Sequence, residues 1–271
     1  MGDRPSGPAE HRTPPPVRWV VGPAFADSRS DSATVTVEQL FAAEPAPARL
    51  RPGFGVSPQD WADLAVRLAR SPLARAVLLE GEPEVGVEAD RVLKRDPRNV
   101  LITRPSRTDA EDHLTSTGAM AFEAALAVPD GTEMILDHTI GQRHVPGMLI
   151  IEAMIQLLTA AVPRCFPRRE DSEWIGVMHG CRFSFSRFTF PSDARLAAEL
   201  RVAGSAAPDR VPMAAEVVLS QAGRDTAVGS FALNAFSLRR LSDIEISQEA
   251  GVFGRQAADG STTHSQPADG R

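Results

Sequence analysis

The sequence contains very little lysine and very little cysteine. Lys94 is the single lysine among 271 residues, so arginine carries nearly all of the positive charge. Enzymes that form a Schiff base need a lysine, and nothing around Lys94 indicates that role. The two cysteines, Cys165 and Cys181, form no CxxC pair and have no metal-ligand spacing. This usage predicts reduced, buried thiols in a cytoplasmic protein, with no disulfide scaffold and no metal centre.

Net charge and hydropathy argue against two further classes of protein. A formal net charge of -6 does not favour a surface that binds nucleic acid, because phosphate binding needs clustered positive charge. The longest apolar run, Met148 to Ala161, is too short to span a membrane and contains Glu152. The first 16 residues lack the apolar segment of a signal peptide. We therefore predict a protein that binds neither nucleic acid nor membranes.

Composition divides the chain into a central region and two tails. Residues 1–16 are rich in proline, glycine and charge, and residues 248–271 have the same character, which is typical of disorder. Between the tails, residues 17–91 form an N-terminal extension and residues 92–242 form the main domain. The change of pattern near residue 92 separates the two.

The extension is predicted to contain strands and one amphipathic helix. Val17–Val21 and Ala33–Leu40 have the pattern of strands. Ser57 is a suitable N-cap for a helix that runs to about Leu73, and Pro58 suits its first position. The apolar positions of this helix recur at helical spacing: Trp61, Leu64, Ala65 and Leu68.

The main domain is predicted to be a sheet around one helix. Apolar residues alternate along residues 118–128, and four strand-like segments follow between Cys181 and Leu238. The alternation slips near Ser186–Arg187, which predicts a bulge. A helix that is apolar on all sides, as residues 148–161 are, must be surrounded by protein. This pattern favours an α+β hotdog fold, in which a curved antiparallel sheet of five or six strands wraps one long helix.

Two polar residues interrupt the apolar helix. Glu152 and Gln156 are four residues apart, so they project from the same face. A carboxylate in apolar surroundings loses hydration, which favours its protonated form or a close hydrogen-bond donor and suits general acid or base catalysis. The alternative is a buried polar pair satisfied by backbone groups or by a subunit contact.

The loop before this helix adds two histidines and a helix start. An imidazole beside a carboxylate is an acid–base pair, so His138 and His144 are candidates, although either is also consistent with an ordinary loop histidine. The HExxH pattern is absent, and we predict no metal. Pro146–Gly147 begins the helix, whose first amides can hold a carbonyl oxygen or an anion.

The stretch "DHTIGQRHVPGMLIIEAMIQ" (residues 137–156) closely resembles the signature of the AfsA family, the hotdog proteins of A-factor (γ-butyrolactone) biosynthesis. The segment "LKRDPRNVLI" (residues 93–102) resembles the opening of that family's C-terminal hotdog repeat. The resemblance covers residues 90 to 240 and implies transfer of a β-ketoacyl group to a hydroxyl of dihydroxyacetone phosphate. It also implies an acyl carrier protein as partner, a small-molecule acceptor, a homodimer and no cofactor beyond the carrier or CoA thioester. The residues it implies are His138 and Glu152 for catalysis, and Arg95, His144, Gly147, Met148 and Gln156 for substrate binding.

Two alternatives stay open. The spacing of His138, Pro146–Gly147 and Glu152 also resembles that of hotdog dehydratases, in which the histidine would remove an α-proton and the glutamate would protonate the departing hydroxyl. The third possibility is a non-catalytic acyl-binding or scaffolding subunit, because the chain departs from the AfsA pattern. Residues 17–91 carry no second site motif, so they form either a degenerate hotdog repeat or an appendage. Ile155 also stands where the family commonly has an arginine.

Overall fold

The chain forms two compact units, which we describe from a computed structural model. The model describes residues 14–26, 33–42, 46–84, 99–109, 113–115, 118–132, 143–167 and 173–260, the side chains of 252–260 excepted. The first unit comprises residues 1–103, 125–150 and 188–194, and the second comprises residues 104–124, 151–187 and 195–271. Each unit therefore draws on segments that are distant in sequence.

The first unit contains a four-stranded parallel sheet. Its strands run in the order β2-β1-β3-β4, and each neighbouring pair is parallel. The parallel sheet differs from the antiparallel sheet of a hotdog, so a degenerate hotdog repeat does not describe this part of the extension. The elements are β1 (Val17–Val20), β2 (Thr34–Val35), α1 (Val37–Ala42), β3 (Ala48–Pro52), α2 (Pro58–Ala69) and β4 (Val77–Leu79).

Helix α1 replaces the second half of a predicted strand. The sequence pattern favoured a strand over Ala33–Leu40, but only Thr34–Val35 is extended. Gln39 N–H donates to the Thr36 hydroxyl over 3.2 Å, and Thr36 N–H donates to Gln39 Oε1 over 2.9 Å. These reciprocal bonds form a capping box, which starts a helix despite the β-branched residues before it.

Helix α2 begins where the sequence predicted, but it ends at Ala69 and not near Leu73. Ser57 accepts a hydrogen bond from Asp60 N–H, and the Asp60 side chain accepts one from Ser57 N–H. Trp61, Leu64 and Leu68 are buried against the sheet, where they join the core around Leu50. Ala65, which the spacing placed on the same face, is exposed.

The second unit confirms the hotdog prediction. A six-stranded sheet has the order β5-β6-β8-β9-β10-β7, and β5/β6, β9/β10 and β10/β7 pair antiparallel. The long apolar helix, α3, spans Gly147–Ala161, and α4 spans Leu238–Gly260. The strands are β5 (Ser106–Arg107), β6 (Ala119–Ala125), β7 (Trp174–Phe185), β8 (Ala194–Val202), β9 (Arg210–Gln221) and β10 (Arg224–Ser237).

Glycine at position 229 lets α3 approach the sheet closely. A Cβ atom added to Gly229 in β10 would lie 2.8 Å from Met154 Sδ and 2.7 Å from a ring carbon of Phe231. Met154 and Leu157 are fully buried on this side of the helix. By length and hydropathy alone the segment Gly147–Cys165 could cross a membrane, a test that the core helix of a folded domain also passes.

Strand β7 is longer than the sequence predicted, and it carries two irregularities. Strand β7 begins at Trp174, seven residues before the predicted start at Cys181. A bulge lies where the alternation predicted one, because Ser186 N–H and Arg187 N–H, just after the strand, both donate to the Thr226 carbonyl. A second register shift lies at His179. Helix α4 extends into the predicted C-terminal tail, as far as Gly260.

Candidate functional site

The two polar residues of α3 are hydrogen-bonded to each other. Gln156 Nε2 donates to Glu152 Oε1 over 3.0 Å. Gln156 is only 2% exposed, whereas Glu152 is partly exposed. A buried amide therefore fixes the position of a carboxylate that can still be reached. The pairing of these two residues was predicted, but full burial of Glu152 was not found.

Helix α3 is covered on one side more than on the other. The face opposite the buried residues is partly or fully exposed, and it comprises Met148, Ile151, Glu152, Ile155 and Thr159. Met148 is the most exposed of them, at 58%. The prediction of a helix enclosed on all sides is therefore wrong for a single chain. An apolar stripe with one carboxylate in it is left for a ligand or a second subunit.

The start of α3 provides two candidate oxyanion donors. The Pro146 carbonyl accepts from Leu149 N–H over 3.0 Å and from Ile150 N–H over 3.3 Å. Within the described residues, the amides of Gly147 and Met148 have no backbone acceptor, as expected for the first residues of a helix. These N–H groups lie one to two turns before Glu152, at the positive end of the helix dipole.

His144 lies directly before this helix start and stacks on an aromatic ring. The rings of His144 and Phe188 are 4.4 Å apart between centroids, at an angle of 34°. Next to them, Val145 N–H donates to the Thr189 carbonyl over 2.7 Å. His144 is partly buried, and Phe188 is 66% exposed. The structure thus supplies an accessible aromatic surface beside a predicted substrate-binding residue.

Phe188 and Phe190 were not among the predicted site residues. Phe190 is 49% exposed, and both rings belong to the segment that follows β7. The sequence did contain a signal, since the apolar alternation changes phase at Ser186–Arg187. It could not indicate that this segment pairs with the residues before α3, because that pairing joins positions more than 40 residues apart.

Two of the predicted site residues lie outside the described residues. His138, the predicted catalytic histidine, and Arg95, a predicted substrate-binding residue, both fall there. Among the residues that the structure describes, no group of three histidine, cysteine, aspartate or glutamate side chains could hold a metal ion.

The parallel sheet of the first unit has a place where such sheets often bind ligands. Its order reverses between β1 and β3, and ligands commonly lie beyond the carboxyl ends of strands at this point. Here a Cβ atom on Gly22 would lie 2.7 Å from the Gly55 carbonyl oxygen and 3.0 Å from Asp130 Cγ. Gly55 N–H also donates to the Val128 carbonyl over 2.8 Å. Backbone from this chain fills the position, so we assign no ligand site to it.

Comparison with solved structures gives weak similarities to several bacterial proteins. A mutant thioesterase from Pseudomonas aeruginosa is 10% identical, over 49% of this chain and 82% of that one, with a TM-score of 0.32. A conserved protein from the same organism is 13% identical, over 55% and 99%, with a TM-score of 0.33. A thioesterase from Haemophilus influenzae is 9% identical, over 49% and 79%, with a TM-score of 0.31. Similarity at this level does not bear on activity.

A sequence comparison with curated proteins gives no match. The profile of the family described as the A-factor biosynthesis hotdog domain, AfsA, does match, over residues 82–237. This range is more than half of the chain and contains all of α3 and the six-stranded sheet. The protein belongs to the AfsA family of A-factor biosynthesis hotdog proteins.

Proposed function

We propose that the protein is an acyltransferase that moves a β-ketoacyl group from a carrier thioester to a hydroxyl of a small acceptor. The acceptor is dihydroxyacetone phosphate or a similar molecule, and the product leads towards a γ-butyrolactone-type signal. The observation that carries this proposal is the Glu152–Gln156 pair on the core helix of a family member. The donor is an acyl carrier protein thioester, and the location is cytoplasmic.

The residues of α3 support a base-assisted acyl transfer. The thioester carbonyl binds at the helix start, where the Gly147 and Met148 amides stabilise the oxyanion that forms. The acceptor hydroxyl attacks the carbonyl carbon and gives its proton to Glu152 or His138. The C–S bond then breaks, and the carrier's sulfur leaves and takes up a proton to become a free thiol. No cofactor takes part in this scheme.

The hydrogen bond within the pair suits both acyl transfer and dehydration. Gln156 donates to Glu152 Oε1, so the bond orients one carboxyl oxygen. An ionised carboxylate accepts this bond as a general base, and a protonated carboxyl group accepts it at its carbonyl oxygen while its O–H donates to a departing hydroxyl. The two schemes are distinguished by the substrates that react.

A homodimer would complete the site. Strand β7 lies at an edge of the six-stranded sheet, and an edge strand can pair with a second copy. Its exposed apolar residues include Met178 at 43% and Phe185 at 48%. The exposed stripe of α3 is also apolar, apart from Glu152 and Thr159. Pairing of two β7 strands would cover apolar surface that a single chain leaves open.

The proposed acyl transfer is tested by measuring how much carrier protein is freed from its acyl group. The protein is incubated with a β-ketoacyl carrier protein in the presence and in the absence of dihydroxyacetone phosphate, and free carrier thiol is measured by mass spectrometry. We expect release that depends on the acceptor and an acylated acceptor of the matching mass. A 3-hydroxyacyl carrier protein is assayed in parallel for enoyl absorbance. Enoyl formation without acyl transfer would replace the proposal by dehydration, and carrier binding without either reaction would replace it by a scaffolding role.

A further inference from the structure

A short segment after β7 contacts His144 and Val145, which lie just before the start of α3. We name residues 188–191 the strap. Its Thr189 carbonyl accepts from Val145 N–H over 2.7 Å, and its Phe188 ring stacks on His144. Thr189 is 1% exposed and Val145 is 2% exposed, so their hydrogen bond is shielded from water. The position of His144 thus depends on the position of the strap.

The other end of the strap rests on the parallel sheet. A Cβ atom on Gly53, the residue after β3, would lie 2.6 Å from the Pro191 carbonyl oxygen. It would also lie 2.8 Å from Val21 Cγ1 and 3.0 Å from the Val20 carbonyl oxygen. Gly53 N–H donates to that Val20 carbonyl over 2.6 Å, which fixes the glycine to β1. The Pro191 carbonyl therefore packs directly against the Gly53 backbone, which its hydrogen bond to Val20 holds in place.

We propose that Gly53 is a positioning residue for the start of α3, acting through the strap. The parallel sheet of the N-terminal extension fixes the position of Pro191. Because Pro191 belongs to the strap, its position also determines where the strap contacts Val145 and His144. This inference rests on the proposed function for its catalytic consequence, although the placement of His144 can be measured without any reaction. The extension is then a support for the substrate-binding end of α3.

The first test compares two glycine variants of the full-length chain. Gly53→Ala should displace Pro191, whereas Gly81→Ala lies in the same unit and its Cβ meets only Pro52 Cδ at 3.8 Å. Gly81 has a φ of +76°, so its substitution strains the fold without touching the strap. The readouts are the NMR shifts of the His144 ring protons, which the Phe188 ring current sets, and the kcat and KM for carrier thioester. The His144 signals are assigned with His144→Gln.

We expect Gly53→Ala to move the His144 ring signals and to lower kcat/KM about tenfold, since displacement by an ångström can cost up to about 100-fold. Gly81→Ala should leave both at the wild-type values. Unchanged His144 signals in a folded Gly53→Ala protein would overturn the inference, as would equal changes in the two variants. If the wild type transfers no acyl group, the proposed function fails, while the ring signals still decide whether Gly53 positions His144.

A second comparison separates the contact of the added methyl group with Pro191 from its contact with the Val21 side chain. Val21→Ala removes the side chain that a new Cβ at Gly53 would meet, but leaves Pro191 in place. The double variant that combines Val21→Ala with Gly53→Ala should still show displaced His144 signals relative to Val21→Ala alone. Recovery of the signals in the double variant would assign the effect to crowding at Val21 and overturn the role of Pro191.

A third variant covers the case in which Gly53→Ala does not fold. Trp61→Phe weakens the core of the parallel sheet and removes the 3.1 Å bond from Trp61 Nε1 to the Gly81 carbonyl. Amide hydrogen exchange of Val145 should then accelerate by the same factor as that of Leu50 in β3. Faster exchange at Leu50 with no change at Val145 would overturn the coupling.

Discussion

Gln156 and Glu152 are joined by a 3.0 Å hydrogen bond in which the buried amide is the donor and the more exposed carboxylate is the acceptor. One turn of helix separates them, so the bond holds the carboxylate towards the partly exposed stripe of α3. Under the proposed function, each residue would have a separate task. Glu152 would meet the reactants, and Gln156 would fix the orientation of its carboxylate from inside the protein.

Substitution of the pair should affect catalysis unequally. Glu152→Gln removes the base and should lower kcat by about 100-fold or more. Gln156→Ala leaves the carboxylate in place but without this donor, and should lower kcat by about tenfold with little change in KM. The double variant should be no slower than Glu152→Gln alone, because orientation is irrelevant once the base is gone. Additive losses in acyl-transfer assays would mean that Gln156 acts independently of Glu152.

The close approach of α3 to the sheet predicts a strong effect of one methyl group. Gly229→Ala would place its Cβ 2.8 Å from Met154 Sδ, and overpacking of this kind costs about 1–3 kcal/mol. Gly180→Ala is the matched control, since its nearest neighbour would be Ala232 Cβ at 3.7 Å. Urea denaturation followed by circular dichroism should show the loss only for Gly229→Ala. Equal stability of the two variants would mean that the helix can move away from β10 without cost.

Local sequence signals were sufficient to predict where α2 and α3 begin. Ser57 and Pro58 marked the start of α2, and Pro146–Gly147 marked the start of α3. The capping box of Thr36 and Gln39 was also present in the sequence, but the apolar alternation around it favoured a strand. In that case a side-chain hydrogen bond to the backbone prevailed over strand propensity.

Long-range relationships could not be obtained in the same way. No local pattern indicated that β7 would pair with β10, because β8 and β9 lie between them in the chain and belong to the same sheet. The parallel pairing of β1 with β3 was equally hidden, since a strand's pattern does not specify its neighbour. The contacts of Val145 and Gly53 with the strap follow from these pairings. The candidate residues on α3 were therefore predictable, and the elements that support them were not.

The edge position of β7 predicts a dimer that depends on its apolar side chains. Met178→Glu and Phe185→Glu each place a charge on the exposed side of that strand and should convert a dimer into a monomer. Val66→Glu, in α2, is the control, because Val66 is exposed to a similar extent, 51%, but lies in the other unit. Analytical ultracentrifugation measures the mass. A dimer that persists in both β7 variants would place the subunit contact elsewhere.

The two cysteines should differ sharply in reactivity. Burial, together with the nearby charge of Asp109, raises the pKa of the Cys165 thiol to about 12, so this thiol stays protonated in the folded protein at pH 8. Cys181 is exposed on β7, so the prediction that both thiols are buried is wrong for this residue. A disulfide reagent should therefore modify one thiol in the native protein and two in urea. Because the folded pKa exceeds the reference value of 9.0, folding retains a proton that the unfolded chain loses. The stability contribution of Cys165 is thus complete below pH 9 and declines as the pH rises towards 12.

Asp130 should make the first unit less stable at neutral pH than at acid pH. Although Asp130 is exposed, partial desolvation raises the pKa of its carboxyl group. The charge of Asp60 raises this pKa further, and a hydrogen bond from Ala24 N–H opposes both effects. The folded pKa therefore lies above the reference value of 3.8, and the folded state holds a proton that the unfolded chain has already lost. Asp130 therefore contributes its full stabilisation of the folded state below pH 3.8. This contribution is lost as the pH rises through the pKa that Asp130 has in the folded protein.

Asp130→Asn tests this directly, because its side-chain carbonyl can still accept from Ala24 N–H while carrying no charge. The variant should be more stable than the wild type at pH 7, and its advantage should shrink as the pH falls towards 4. Urea denaturation followed by the fluorescence of Trp61, which is buried in the same unit, measures the difference. If the stability difference between variant and wild type does not change with pH, ionisation of Asp130 is excluded as its cause. If the variant is less stable than the wild type at pH 7, the negative charge of Asp130 itself stabilises the fold.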